Sequence, residues 1–288
     1  MRIIATCDLH YNIARSRGPT EEIAREICDA GGDALLLLGD LAGIDLDVLE
    51  RVFELFERFR GPRLFVAGNH ELWAPPGGDS ALRLNEELPR RCARHGVRSL
   101  EHTPFRDGDT AIVGTVGWYD YGFRDAALDL PLRFYEEKIA PGSASARPAL
   151  AHLEPEADDV PAASRRFSCR WMDGAHVRLP CTDPEFAQAS LARLVSQLHS
   201  VSDAARVLVG MHHVPFSQLL PAVRMLPLRF ATAFMGSPRF GEMILRYPNV
   251  RHVLCGHTHQ YATWRKNGLS ACAIGSTYVA KRYEVIDV

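Results

Sequence analysis

Lysine is almost missing from this 288-residue chain: it stands only at 138, 266 and 281, so arginine fills nearly all of the 33 basic positions. The arginines form small groups (Arg58, Arg60 and Arg63; Arg90, Arg91 and Arg94; Arg165, Arg166 and Arg170) but no long run. Such groups read as solvated faces. Net charge is lacking as well. With 35 acidic residues the balance is −2, which gives no long-range field for holding nucleic acid by charge. Seven cysteines, at 7, 28, 92, 169, 181, 255 and 272, include no C-x-x-C pair, and their number is odd. A disulfide framework is not expected, and a reducing compartment is. No apolar run is long enough to span a bilayer; the run at 34–38 is among the longest. The first residues lead straight into a strand pattern, without the charged and apolar regions of a signal peptide, so the chain reads as cytoplasmic. There is no glycine period and no internal repeat. The 47% hydrophobic and 24% charged residues suit a soluble globular chain with a sizeable core.

What is present is an alternation of short apolar runs and amphipathic stretches. Runs at 3–7, 34–38 and 64–67 predict buried strands. Between them, apolar spacing predicts helices over 21–30 and 45–59, the second stopped by Gly61-Pro62. A third helix is expected over 80–94, broken or kinked at Pro89. Short strands follow near 97–100, 104–106 and 110–116. A helix at 184–199, capped by Asp183, precedes a strand at 206–211 and a helical stretch near 238–246. The last part reads as strands at 250–255, 261–265, 269–274 and 282–286. Early strand–helix alternation implies parallel pairing, and the late run of strands implies antiparallel pairing. The expectation is an α/β domain spanning 1–288, with two mixed sheets packed face to face and flanked by helices. Residues from about 122 to 183, rich in Pro, Ala, Ser and Arg, read as an inserted cap or loop.

The chemistry collects where the buried strands end. The first strand runs into Asp8-Leu9-His10, the second into Gly39-Asp40, the third into Gly68-Asn69-His70-Glu71. The strand at 206–211 runs into His212-His213, and that at 250–255 into Gly256-His257-Thr258-His259. The carboxyl edge of an open α/β sheet is where ligands bind. Asp, His and Asn offer mixed oxygen and nitrogen donors for first-row divalent ions. In D-x-H and H-x-H both donors fall on one side of an extended chain. The glycines before Asp40, Asn69 and His257 are expected to let the backbone turn sharply. Seven donors are too many for one small ion and suit two that share a carboxylate. Either His212 or His213 can fill the fourth block, and His212 follows its strand directly. Singly, each residue has a plainer reading: Asp8 and Asp40 as turn residues, Asn69 as a loop residue, a lone histidine as a buried hydrogen-bonded one. The ordered set outweighs those readings. His95, His102, His152, His176, His199 and His252 lack ligand spacing and keep the plainer one.

These five blocks, D-x-H, GD, GNH[E/D], H with a nearby Pro, and GHxH, resemble the calcineurin-like metallophosphoesterase superfamily in order and type, over nearly the whole chain outside 122–183. The resemblance implies a four-layer α/β/β/α sandwich. It implies one metal held by Asp8, His10, Asp40 and His259, and another by Asp40, Asn69, His212 and His257, with Asp40 bridging. His70 would stay off the metals as general acid. The ions, Mn, Fe, Zn or Co, would supply a bridging hydroxide that attacks a small phosphomonoester or phosphodiester. One departure stands out. Members of the protein-phosphatase type carry GDxxDRG, whose second acid orients the histidine; here Leu41-Ala42-Gly43-Ile44 follows Asp40. Glu71 or a backbone carbonyl is left to orient His70.

A substrate contact is expected from His213. Trp118 and Tyr119 read first as ordinary packing at the base of a loop, with walls of a substrate pocket, and so substrate contacts, as the alternative. Residues 170–174 could reach over the metals from the insertion. A manganese-dependent nuclease and a non-catalytic scaffold are the competing functions. The charge balance counts against the first, and the complete ligand set with His70 against the second.

Overall fold

The computed structural model describes residues 1–153 and 159–288. Among these residues eleven strands form two mixed sheets. The first has the order β11 (Tyr283–Asp287), β1 (Arg2–Thr6), β2 (Ala34–Leu38), β3 (Arg63–Val66) and β4 (Val97–Ser99). Its strands are parallel except β11, which pairs antiparallel with β1, Ile4 opposite Val285. The second has the order β5 (Phe105–Asp107), β6 (Thr110–Thr115), β7 (Arg206–Met211), β8 (Val250–Cys255), β10 (Leu269–Ala273) and β9 (Ala262–Lys266). There β6, β7, β8 and β10 run parallel, while β5 and β9 close the edges antiparallel.

Alternation along the strands divides the core into three layers. Ile3, Ala5, Leu36, Leu38, Leu64 and Val66 of the first sheet meet Ile112, Leu208 and Leu254 of the second. The opposite face of the first sheet, with Ile4, Leu35, Leu37 and Phe65, packs on Ile23 and Ile27 of the Ala14–Ala30 helix and Leu49, Val52 and Phe53 of the Leu46–Leu55 helix. The outer face of the second, with Val113, Val207, Val209 and Val253, packs on Leu191, Leu194 and Leu198 of the Asp183–Ser200 helix and Phe240 and Ile244 of the Pro238–Ile244 helix. The result is the expected α/β/β/α sandwich.

Several elements differ from the sequence expectation, each for a local reason. The first helix begins at Ala14, earlier than residue 21. Its first turns are polar and contain Pro19, so they carry no apolar period. They are held instead by side chains: Ser16 Oγ donates to the Tyr278 carbonyl at 2.9 Å and Thr20 Oγ1 to the Leu9 carbonyl at 3.0 Å. The second helix stops at Leu55, short of 59. The stretch around Pro89 is absorbed rather than broken, by a π-turn over Arg83–Glu87 leading into Leu88–Arg94. The late strands are not a simple antiparallel run: β10 inserts parallel beside β8, and β11 crosses to the first sheet. The segment expected as an insertion forms short helices, among them Leu132–Glu136 and Asp173–His176; its residues 154–158 lie outside the described residues. Its Tyr135, Ile139, Ala140 and Phe167 join Phe230 and Phe234 in the same apolar cluster as the outer face of the first sheet.

Candidate metal centre

Parallel β1, β2 and β3 end on the same edge of one sheet, and parallel β7 and β8 end on the adjoining edge of the other. The loops that leave them are fastened to one another. Asp8 N–H donates to the Gly39 carbonyl at 3.0 Å and His10 N–H to the Asp40 carbonyl at 2.9 Å. Gly256 N–H donates to the His212 carbonyl at 3.1 Å, and His257 N–H reaches both carboxylate oxygens of Asp8 at 3.1 Å. The seven sequence-predicted ligands are therefore brought together, and Asp40, Asn69, His257 and His259 among them line one cavity. Five of them hold left-handed backbone: Asp8 (φ 53°), His10 (43°), Asp40 (51°), His257 (69°) and His259 (54°). This conformation is costly for non-glycine residues and marks sites where the surroundings impose it.

Gly39 and Gly68 are needed for different reasons. Gly39 itself has φ 78°, the sharp turn expected. Gly68 does not; a Cβ there would lie 2.1 Å from Asp40 Oδ1, so its role is to let the third loop approach the carboxylate.

The donor atoms fall into groups. Asp8, His10 and His259 can each place a ligand atom within 4.8 Å of the others, as can Asp40, His212 and His257. Asn69 Oδ1 lies 3.2 Å from His212 Nε2. Asp40 stands between the groups: Oδ1 is 3.4 Å from His212 Nε2, and Oδ2 is 3.7 Å from His10 Nε2.

Three histidines have their far nitrogen occupied by a carbonyl. His212 Nδ1 bonds to Leu38 at 2.9 Å, His257 Nε2 to Phe234 at 3.2 Å and His259 Nδ1 to Ser276 at 2.8 Å. Those bonds use the ring N–H and turn the remaining lone pair toward the centre. His212 Nε2 and His257 Nδ1 then face each other at 3.1 Å. Two lone pairs at that distance require a cation or a proton between them. His10 makes the same demand: it is fully buried, yet neither ring nitrogen finds a hydrogen-bond partner among the described residues. A buried imidazole left unpaired is costly, and a bound cation removes the cost. The residues present fit a divalent metal in each group.

The electrostatics agree. Burial alone would raise the Asp40 pKa, but the neighbouring His212, His70 and His10 outweigh it and hold the carboxyl well below its usual range. Burial opposes a proton on His212; Asp40 overcomes this and pushes its pKa up to about 9. Burial holds His10 and His257 well below the usual histidine range. Without metal, one proton on His212 stands in for the cation.

His70 borders the centre. Its side chain is 18% exposed, and Nε2 is 3.8 Å from Asp40 Oδ2. Among the described residues neither Glu71 nor a carbonyl orients its ring. Glu71 is fully buried and accepts instead from the backbone N–H groups of Asp40, Ala42 and Gly68, at 2.8, 3.0 and 2.8 Å. What holds His70 is Trp73, stacked on it with centroids 3.8 Å apart and planes at 24°.

The expected substrate contacts fare differently. Trp118 and Tyr119 are fully buried, their polar atoms bonded to Asp183 and Asp173, and neither lines the cavity. They pack behind the centre, in line with the packing reading; the alternative of pocket walls is corrected. His213 is also buried; its Nδ1 bonds to the Val116 carbonyl at 2.9 Å, and burial pushes its pKa down to about 3. The cavity beside the candidate ligands, about 410 Å³, is walled by residues not singled out from the sequence: Trp73, Tyr278 and, from the 221–235 stretch, Leu228 and Met235. Arg170, Trp171 and Met172 line it from the insertion, the segment expected to reach over the metals.

The family model for calcineurin-like phosphoesterases matches residues 1–261, a span that contains every candidate ligand and His70. No curated protein matches the sequence significantly. Among solved structures, phosphopantetheinyl hydrolase from Mycobacterium tuberculosis superposes with a TM-score of 0.68 at 20% identity, covering 94% of this chain and 88% of that one. TT1561 of Thermus thermophilus gives 0.54 at 15% identity (96% and 90% covered), and a dimetal phosphatase from Danio rerio gives 0.53 at 10% (99% and 91%). At these identities the superpositions speak for the fold, and the sequence match for the family. The chain belongs to the calcineurin-like phosphoesterases, metal-dependent hydrolases of phosphoric esters.

Proposed function

We propose that the protein hydrolyses small phosphomonoesters or phosphodiesters, using two divalent ions that share Asp40. The observation that carries this is the buried set of facing donor atoms, with His10 unpaired among the described residues, opening onto a cavity bordered by His70. Asp8, His10, Asp40 and His259 would hold one ion, and Asp40, Asn69, His212 and His257 the other. Manganese, iron, zinc and cobalt all suit these donors. Bound ions supply Lewis acidity toward the phosphoryl oxygens and an acidified water as nucleophile. The protein's share is position and charge. Two ions against two carboxylates leave the centre positive, which favours an anionic phosphoryl group. His70, at the edge of the cavity, donates a proton to the departing oxygen.

The cavity supports an ester whose alcohol is apolar or aromatic. Trp171, Met172, Leu228 and Met235 supply its walls, and Arg170 is the one arginine or lysine among its lining residues. Such a cavity suits a small ester better than a polynucleotide, which needs a basic groove. The free cysteines support placing it in the cytoplasm, where thiols stay reduced, and the shared apolar cluster supports one domain bearing a cap.

The test is a metal-reconstituted assay comparing an aryl phosphomonoester with a bis-aryl phosphodiester, with elemental analysis of the same sample. Two ions per chain and turnover of at least one ester are expected. A sample that takes up no ions and turns over neither ester would remove the reading.

A further inference from the structure

The acid that orients the histidine in phosphoesterases of the protein-phosphatase type has no counterpart after Asp40. A different carboxylate reaches this centre, from the opposite direction in the chain. Asp173 opens the short Asp173–His176 helix of the inserted segment and is 1% exposed. It accepts four hydrogen bonds. Oδ1 accepts from Asn69 Nδ2 at 2.9 Å and from Trp73 Nε1 at 2.7 Å. Oδ2 accepts from Trp171 Nε1 at 2.8 Å and from the Tyr119 hydroxyl at 3.0 Å.

Two of these bonds act on the centre. A primary amide has two dissimilar ends, and only its oxygen can serve a cation. By engaging Nδ2, Asp173 turns Oδ1 of Asn69 toward His212 Nε2, 3.2 Å away, where the second ion's donors meet. The bond to Trp73 sets the plane of the indole on which His70 is stacked. Beyond it, the far side of Trp73 is covered by His176 of the same inserted helix, with centroids 4.6 Å apart. The other two bonds hold Asp173 itself: Tyr119 is rooted just after β6, and Trp171 lies in the wall of the cavity.

We propose that Asp173 is a positioning residue: a carboxylate from the inserted segment that fixes the metal-facing oxygen of Asn69 and, through Trp73, the ring of His70. The inserted segment is then part of the apparatus that assembles the centre. This rests on the phosphoesterase reading above. Only a carboxylate meets the demand, because four donors need acceptor sites on both oxygens. An asparagine at 173 keeps the shape but turns an NH₂ group against two of the four donors, and an indole N–H cannot reverse its role.

The test uses the full chain, stripped of metal and titrated with manganese(II) by calorimetry, for the wild type, Asp173→Asn and Trp73→Leu. Metal-free melting and circular dichroism report whether each variant is folded. The wild type should bind two ions. In Asp173→Asn the second ion should weaken about 10- to 100-fold, the usual effect of losing a hydrogen bond that orients a ligand, while the first is held as before. Trp73→Leu should bind both ions as the wild type does and lose about 10- to 100-fold in kcat, the scale of a misplaced catalytic group. Wild-type metal affinity and kcat in Asp173→Asn would overturn the proposal. So would equal weakening of both ions together with a lowered metal-free melting temperature, which would show a purely structural role. A wild type that binds no ions would instead remove the underlying phosphoesterase reading.

Discussion

Asp40 and His212 meet across the two sheets, with Oδ1 of the one 3.4 Å from Nε2 of the other. Asp40 follows β2 and His212 follows β7, and their contact lies where the carboxyl edges of the sheets adjoin. Oδ2 of the same carboxylate faces His10 at 3.7 Å. The carboxylate thus faces both donor groups at once, so removing it should cost both ions. Asp40→Ala is expected to lose metal retention and turnover together. Elemental analysis of the purified variant checks the first, and an aryl phosphate assay the second. A fully active variant would exclude ions bridged by this residue.

The proton that Asp40 shares with His212 makes the stability of the metal-free protein depend on pH. His212 is raised to about 9 from an ordinary 6.5. Its contribution is fully present below 6.5 and is lost as the pH rises through about 9. His213 is lowered to about 3. Its contribution is present above 6.5 and is lost as the pH falls toward 3, because the unfolded chain takes up a proton that the buried ring refuses. His10 and His257 are lowered and act in the same direction as His213. Metal-free protein should therefore melt highest near pH 6.5, and His213→Gln should flatten the acid limb. Thermal melts across the pH range decide it; a melting temperature that climbs steadily to alkaline pH would contradict the assignment.

The candidate ligands were legible because each follows an apolar run whose end can be read locally. D-x-H after β1 and G-H-x-H after β8 declare themselves within a few residues, and parallel pairing brings such ends to one edge. The pairing partners of β10 and β11 were not legible, since nothing in a five-residue strand names the strand beside it. Trp118 and Tyr119 left two readings open for a related reason: an aromatic group after a strand looks the same whether it lines a cavity or packs behind one. Asp173 left a fainter trace. It lies in a stretch without periodicity, and the only signal was the cluster Arg170-Trp171-Met172-Asp173-Gly174. Trp73 was readable in principle, since it stands three residues after His70, where one helical turn brings side chains together.

Glu71 was, with a backbone carbonyl, one of two candidates to orient His70, and instead it ties two loops together. Its carboxylate accepts the N–H groups of Asp40 and Gly68 on Oε2 and of Ala42 on Oε1. Glu71→Ala leaves three buried donors without an acceptor, at about 1–3 kcal/mol each. A loss of roughly 3 kcal/mol or more in unfolding free energy is expected, with weakened metal uptake, because the backbone of Asp40 loses its anchor. Glu71→Gln keeps one acceptor oxygen and should lose less. Urea unfolding of the two variants orders them, and equal stability of Ala and wild type would remove the anchoring role.

His70 can be separated from the metal ligands by the leaving group it serves. Its ring is stacked on Trp73, and its Nε2 lies 3.8 Å from Asp40 Oδ2, so it touches the centre without belonging to either donor group proposed for the ions. His70→Ala should therefore keep two ions per chain while kcat falls by about 10²–10⁴-fold, the range of a general acid. The fall should depend on the ester. A nitrophenolate leaves readily without a proton, whereas an alkoxide does not. The loss measured with a nitrophenyl ester should be the smaller and that with an alkyl ester the larger. A loss of the same size for both would mean that His70 steadies the phosphoryl group during attack and does not protonate the leaving oxygen.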